Sequence, residues 1–175
     1  MPLARELNTL ASASGWDVRC DATLDFEHPD LKKIRALWLD KCSTRLPARS
    51  EFTLRALRHV MPHLVILDVV AAGDARRRYL HRYVGMQIVA RFGEMTGRYI
   101  DEVLPPALLP KTLTYFDAIV SSRKALRIAT NFEFTPVNYL QCEMFVMPLA
   151  EDGITADKLM SISYFKTRPA TAASV

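Results

Sequence analysis

Hydrophobic residues along the chain follow helical spacing in some segments and strand-like alternation in others. Helical spacing predicts helices over residues 29–42, 51–61, 86–92 and 105–122. Pro29 suits the first turn of the first of these helices, and Asp30 favours its positive end. Glycines and prolines at the segment boundaries predict where the helices end. The apolar stripes indicate that each helix buries one face.

Five segments have the alternating or β-branched pattern of strands. They lie at residues 64–70, 78–84, 126–134, 139–149 and 158–165. In the second strand, Tyr79, His81 and Tyr83 fall on one face, and Arg82 falls on the other. The Asp152-Gly153 pair predicts a hairpin between the last two strands. This order predicts an α+β fold, with a five-stranded antiparallel sheet and helices packed on one face.

The length of 175 residues predicts a single folded domain, at residues 29–168. Residues 1–28 have weak periodicity and are interpreted as an N-terminal extension, either a docking helix over residues 3–10 or a mobile tail. Leu3, Leu7 and Leu10 lie on one face of that helix. Residues 169–175 are small and polar, and we expect a frayed tail.

The composition of the chain excludes several classes of protein. Half of the residues are hydrophobic, which excludes a disordered chain and provides one sizeable core. The net charge is only +4, and acids alternate with bases outside the basic turn at residues 76–78, so we expect no nucleic-acid partner. No segment has the roughly 18 apolar residues of a membrane span. Three widely spaced cysteines and the absence of a signal-peptide pattern predict a cytoplasmic protein.

Short motifs at five places in the chain occur in a recurring order. They are LPARSEF at residues 46–52, MPHLVILD at residues 61–68, RYVG at residues 82–85, TGR at residues 96–98 and EMFVMPLAEDG at residues 143–153. Together they resemble a PAS-like family common in alphaproteobacteria, long catalogued as a domain of unknown function. Met86 departs from the threonine usual in that family. The resemblance covers about residues 30–168.

The resemblance implies a PAS fold, with a module that senses a small molecule or pairs with other proteins. A PAS-like fold also implies a small cavity between a curved sheet and the short helices. The expected lining residues are Arg82, Met86, Tyr115, Phe116 and Phe132. Arg82 and Tyr115 would supply the fixed polar groups of an otherwise apolar pocket. In the alternative interpretation, the three apolar residues of this set fill the core, and Arg82 forms a surface ion pair.

The resemblance also implies that the leading helix contributes to a homodimer. Leu31, Ile34, Leu37 and Trp38 form its apolar stripe. This stripe packs either across a two-fold axis or against the sheet of its own chain, and its exposed apolar area distinguishes the two. A protein partner in a signalling pathway is expected as well.

No motif in the sequence indicates a cofactor, a metal or a catalytic centre. The four histidines lack the spacing of a zinc site. The helix predicted at residues 86–92 has no histidine to bind haem, and the motif that surrounds a flavin-adduct cysteine is absent, so neither cofactor is expected. The nucleophile elbow and the P-loop are also missing. Cys42 and Cys142 are interpreted as inert thiols.

The sequence therefore predicts a PAS-like sensory or regulatory module that acts through protein–protein contact, with a small ligand as a possible gate. The alternative is a small enzyme of the curved-sheet, cone-like type, an isomerase or hydratase. It requires a His–Asp or Asp–Tyr pair that points into the cavity, for which His81 and Tyr115 are the available residues.

Overall fold

The computed structural model describes residues 2–73, 76–135 and 138–169 of the chain. Its helices are α1 (Pro2–Ala13), α2 (Pro29–Lys41), α3 (Leu54–Leu57), α4 (Met86–Phe92), α5 (Ile100–Val103) and α6 (Leu109–Ser122). Its strands are β1 (Val18–Asp21), β2 (Leu64–Ala71), β3 (Arg77–Val84), β4 (Leu126–Thr135), β5 (Asn138–Leu149) and β6 (Lys158–Pro169). The predicted frayed tail lies, after Pro169, outside the described residues.

All six strands form one antiparallel sheet in the order β1-β4-β5-β6-β2-β3. The predicted α+β class is confirmed, but the sheet has six strands where five were expected. The additional strand is β1, in which Val18 pairs with Thr130 and Asp21 pairs with Arg127 of β4. Four residues are too few for their alternation to stand out from the weakly periodic segment around them.

Helices cover both faces of the sheet, and the prediction of one covered face is wrong. Leu64 and Ile66 of β2 face the core formed with α2, whereas Leu67 faces the core formed with α1 and α6. Both faces of β5 are also buried, since Phe145 and Val146 are fully buried on opposite sides. α2 and the short helix α3 therefore form a third layer, on the face opposite α1 and α6.

The segment before β1 is a helix that packs against the sheet. α1 buries Ala4, Leu7 and Ala11, whereas Leu10, which was expected on the buried stripe, is 43% exposed. Asn8 fixes α1 to β1 with two hydrogen bonds to the Cys20 backbone. Its amide nitrogen donates to the Cys20 carbonyl at 2.9 Å, and its amide oxygen accepts from the Cys20 N–H at 2.7 Å.

Ring stacking and hydrogen bonds hold the start of α2 against β6. His28 caps the helix, because its Nδ1 accepts from the Asp30 N–H at 3.2 Å. The rings of His28 and His63 both stack on Tyr164, with centroid distances of 3.4 and 4.1 Å. The Tyr164 hydroxyl donates to Asp30 at 3.1 Å. The position of α2 is therefore fixed at its N-terminal end.

The helix predicted at residues 51–61 is interrupted. Only Leu54–Leu57 is α-helical, and 3-10 turns at Arg49–Glu51 and Met61–His63 flank it. In contrast, α4 has the predicted bounds. Gly85 precedes α4, and the N–H of Gly85 donates to the Leu64 carbonyl at 2.8 Å. The chain therefore passes directly from β3 into α4 beside the start of β2.

Candidate functional site

A cavity of about 140 Å³ lies between one face of the sheet and the helices that follow β3. Its floor comes from the inward residues of the central strands, and its roof comes from α4, α5 and α6. The floor residues are Val65, Leu67, His81, Ile128, Thr130, Met144, Ser161 and Ser163. The roof residues include Ile88, Phe92, Met95, Ile100, Leu104, Leu108, Lys111, Thr112, Tyr115 and Phe116. Val18 of β1 closes one side.

The cavity exists at the point where two small side chains lie on the central strand of the sheet. Ser161 and Ser163 are buried on β6, 6% and 5% exposed, between larger residues on the flanking strands. Ser163 forms a hydrogen bond with the Cys142 thiol. Thr130 on β4 donates its hydroxyl to the Asp17 carbonyl at 2.7 Å. Half of the floor residues are therefore polar, and Thr130 and Ser163 are hydrogen-bonded within the protein.

His81 is the buried titratable group on the floor. It is 4% exposed, and its Nδ1 lies 2.8 Å from the Arg98 carbonyl oxygen. A carbonyl can only accept, so Nδ1 carries the proton and Nε2 is the acceptor of the ring. Burial lowers the pKa of His81 and outweighs the opposing effects of the Arg98 carbonyl and Glu94. The imidazole is neutral at pH 7.

Strand alternation places His81 on the cavity face of β3, the face of Tyr79, and Arg82 on the opposite face. Ile66 of β2 pairs with Tyr83, but the next residue, Leu67, pairs with His81, so Arg82 is the extra residue on β3. The Arg82 side chain is 60% exposed and forms a salt bridge with Asp68. The prediction that Arg82 lines the cavity is therefore wrong, and the surface ion pair is the arrangement found. Because of the β-bulge at Arg82, Tyr83 packs with Ile66 in the core formed with α2, so the prediction that Tyr83 shares a face with Tyr79 and His81 is wrong.

Tyr115 and Lys111 place further polar groups on the roof side of the cavity. The Tyr115 ring lines the cavity, and its buried hydroxyl has no hydrogen-bond partner among the described residues. Burial, with a smaller effect of Cys20, raises the pKa of Tyr115 to about 12. Lys111 lies one turn earlier on α6, where burial lowers its pKa against the opposing charge of Asp17. Apolar walls with a few fixed polar groups are typical of small-molecule sites.

Of the other predicted lining residues, the structure places Tyr115 and Phe116 on the cavity wall. Met86 is 70% exposed at the start of α4 and points away from the cavity, so its predicted place is wrong. It is the first residue of α4, and the stripe of that helix that reaches the cavity contains Ile88 and Phe92. Phe132 belongs to β4, but its side chain lies outside those described.

The predicted dimer stripe on α2 packs within its own chain. Leu31, Ile34 and Trp38 are at most 6% exposed, and Leu37 is half-buried against the same core. The Trp38 ring meets Phe145 of β5 edge-on, with a centroid distance of 6.2 Å. Of the two arrangements that the sequence left open, packing on the own sheet is the one found. The prediction of a dimer interface on this stripe is therefore wrong.

The Asp–Tyr pair that would favour an enzyme occurs outside the cavity. Tyr79 donates to Asp117 at 2.5 Å, but neither residue lines the cavity, and the Asp117 side chain is 46% exposed. The described cavity wall contains no aspartate or glutamate. Among the described side chains, no three histidine, cysteine or carboxylate groups converge as metal ligands would.

The basic turn carries ion pairs on the protein surface. Arg78 donates to both Asp101 and Glu102, at 2.8 and 2.9 Å, and its guanidinium lies 3.7 Å from the centre of the Tyr99 ring. Asp101 and Glu102 belong to α5, and Tyr99 directly precedes it. This segment lies beside β3, where Tyr99 pairs with Leu80. Within the described residues, no helix is both long and apolar enough to cross a bilayer.

Comparison with known proteins gives matches among the solved structures. No family model matches the chain, and no curated protein matches it. Among the solved structures that match is an RNA-binding light-oxygen-voltage receptor, with a TM-score of 0.47 and 13% identity. The match covers 94% of this chain and 44% of the receptor chain, so this chain spans less than half the length of that relative.

Proposed function

We propose that this chain is a PAS-like sensory or regulatory module that binds a small, largely apolar molecule and acts through protein–protein contact. The observation that carries the proposal is the cavity of about 140 Å³ between the sheet and the roof helices. After β1 and the N-terminal helices, the chain has the predicted order of two strands, β2 and β3, then helices, then three strands, β4, β5 and β6.

The volume of the cavity supports a ligand of about one ring. An apolar protein cavity of roughly 150 Å³ takes up benzene, whereas sites for drug-sized ligands are about 300–1,000 Å³. Most of the wall consists of aliphatic and aromatic side chains. The binding energy of such a ligand would come mainly from the apolar surface that it removes from water.

The roof provides a way for the ligand to change the protein. α4 and α5 have seven and four residues, too few to be stable helices without tertiary packing. Ile88 and Ile100, one from each helix, line the cavity. A ligand that packs against them would stabilise one arrangement of the roof. It can shift the equilibrium only if it binds that arrangement more tightly than another.

The output of the module is proposed to be contact with a signalling partner or a second copy of the chain. Because the α2 stripe is buried, this contact must use a surface other than Leu31, Ile34, Leu37 and Trp38. The roof helices are the part of the surface whose arrangement depends on the cavity. We therefore place the ligand-dependent contact on or beside them.

Native mass spectrometry of freshly purified protein tests the proposal, since it reports a retained small molecule and the oligomeric mass together. Hydrogen exchange with and without the released molecule then shows whether α4 and α5 become more protected. Ser161→Leu fills the floor of the cavity and is expected to abolish retention. Met86→Ala, which changes an exposed residue at the edge of the roof, is the matched control and is expected to retain it.

A ligand whose retention is unaffected by Ser161→Leu would bind elsewhere and would contradict the proposal. So would a bound ligand that leaves exchange in α4 and α5 and the affinity of any partner unchanged. If no molecule is retained, thermal shift with a set of one-ring compounds replaces the first step, since a ligand that binds the folded state raises the melting temperature.

A further inference from the structure

Two polar groups on the cavity wall have no hydrogen-bond partner among the described residues, Nε2 of His81 and the Tyr115 hydroxyl, and of these Nε2 can only accept. His81 lines the floor, and Nε2 has no hydrogen-bond partner in the described part of the chain. The other ring nitrogen already has a partner, because Nδ1 donates to the Arg98 carbonyl at 2.8 Å. A buried polar group without a partner costs free energy that a ligand with the complementary group recovers.

The backbone around His81 fixes the ring in this orientation. The His81 N–H also donates to the Arg98 carbonyl, at 3.0 Å, and the Gly97 N–H donates to the His81 carbonyl at 2.8 Å. The loop between α4 and α5 therefore forms backbone hydrogen bonds with the outer edge of β3 at His81. The tautomer cannot reverse without breaking the bond between Nδ1 and Arg98. Nε2 remains an acceptor, and it is directed away from that loop.

Resting on the proposed function, we infer that the cavity selects a one-ring ligand that carries a hydrogen-bond donor, which His81 accepts through Nε2. The Thr130 hydroxyl donates to the Asp17 carbonyl and Ser163 hydrogen-bonds the Cys142 thiol, whereas the imidazole Nε2 is a lone acceptor without a partner among the described residues. The ring face of the ligand would pack on Phe116 and the aliphatic roof residues. Phenol has this chemistry, and toluene has nearly the same shape without the donor.

The test compares the dissociation constants of phenol and toluene, measured by calorimetry or by NMR titration, in three proteins. The His81→Phe variant removes the acceptor and keeps a ring of similar size, and the Arg98 carbonyl still accepts the backbone N–H of residue 81. The His63→Phe variant is the matched control, since His63 is a half-buried histidine that does not line the cavity.

In the wild-type protein, we expect phenol to bind at least as tightly as toluene. In His81→Phe, the ratio of toluene to phenol dissociation constants should fall about tenfold or more, because the phenol hydroxyl is then buried without a partner. The control should keep the wild-type ratio. If His81→Phe does not fold, the nitrogen chemical shift of Nε2 in the wild type gives an independent readout, since phenol should shift it and toluene should not.

The outcomes separate this inference from the proposed function. If both rings bind and the ratio is the same in the wild type and His81→Phe, the inference is wrong and the proposed function stands. If benzoate binds more tightly than phenol, Lys111 rather than His81 selects the ligand, and the inference is wrong again. If neither ring binds the wild type at millimolar concentration, both the inference and the proposed function are contradicted.

Discussion

Glu143 of β5 and Arg127 of β4 form a salt bridge of 2.6 Å whose side chains are only 14% and 13% exposed. The same carboxylate accepts the backbone N–H groups of Glu27 and His28, each at 2.9 Å. Burial acts to raise the pKa of Glu143, but these N–H groups and the Arg127 guanidinium outweigh it and lower the pKa. The pair therefore joins the entry to α2 to the middle of the sheet.

We expect Glu143→Gln to lower the free energy of unfolding by about 2–3 kcal/mol, toward the lower end for a broken buried pair. The amide keeps the shape but leaves the Arg127 charge without its partner. Urea unfolding measures the loss. The double variant Glu143→Gln with Arg127→Met should be less destabilised than the sum of the single variants. Additive effects would mean that the two residues do not interact energetically.

Gly85 is expected to tolerate no side chain. A Cβ at this position would overlap the carbonyl groups of Met61 and Pro62, although the backbone of Gly85 has an ordinary φ of −68°. Gly85→Ala should therefore cost about 3 kcal/mol, since backbone must move to relieve the overlap. Gly15→Ala is the control, because its Cβ meets open space and only its positive φ of 66° is strained, at about 1 kcal/mol. Thermal unfolding distinguishes the two. An equal loss in both variants would contradict the close approach at Gly85.

Two buried tyrosines are expected to respond oppositely to the loss of the hydroxyl. Tyr79→Phe removes a 2.5 Å hydrogen bond to the Asp117 carboxylate and should cost about 1.5 kcal/mol. Tyr115→Phe removes a hydroxyl without a partner among the described residues and should leave stability unchanged or raise it by up to about 1 kcal/mol. Chemical denaturation of both variants checks this. A loss at Tyr115 as large as that at Tyr79 would show that its hydroxyl has a partner.

Stability should rise as the pH increases through the range in which unfolded histidine titrates. Burial is the largest effect that lowers the pKa of both His63 and His81, so the folded protein binds fewer protons than the unfolded chain below about pH 6.5. The contribution is complete above that pH and is lost as the pH falls toward the folded pKa values. Denaturation midpoints from pH 7.5 to pH 5 measure it. The double variant His63→Phe and His81→Phe should flatten this dependence, whereas Met86→Ala should not.

Truncation of the α2 stripe should change stability rather than association. Ile34 is 1% exposed, so Ile34→Ala should cost about 2–5 kcal/mol through lost burial and the cavity left behind. Leu39 on the same helix is 43% exposed, and Leu39→Ala should change stability by less than about 0.5 kcal/mol. Unfolding and sedimentation are measured together. A change in oligomeric mass for Ile34→Ala without a change in stability would restore the interface interpretation.

Most of the fold follows from local patterns that the sequence displays. Gly85 and Gly93 bound α4 at the predicted residues, and the long strands β4 and β5 have enough alternating positions to be recognised. The four residues of β1 do not, and their strand conformation depends on pairing with β4. Likewise, the turn at Arg49–Glu51 interrupts a segment whose hydrophobic spacing alone favours one helix.

The location of the cavity, between the sheet and the short helices, could be predicted from the sequence. Only some of the residues that line it could be predicted. Strand alternation separated His81 from Arg82, but it could not show which of the two faces the helices. That choice depends on the packing of the roof helices against this face of the sheet, and on the Arg98 carbonyl, which lies 17 residues further along the chain than His81. The stripe on α2 had the same ambiguity, because its partner, Phe145, is far away in sequence.

The position of β6 determines when the sheet can form during synthesis. β6 lies between β5 and β2, so it joins the β1-β4-β5 half to the β2-β3 half. Until residues 158–169 emerge from the ribosome, the inner edges of β2 and β5 remain unpaired and available to other chains. The floor serines of the cavity lie on this same strand. The chain therefore completes the floor of the cavity and pairs the inner edges of β2 and β5 in the same late step of folding.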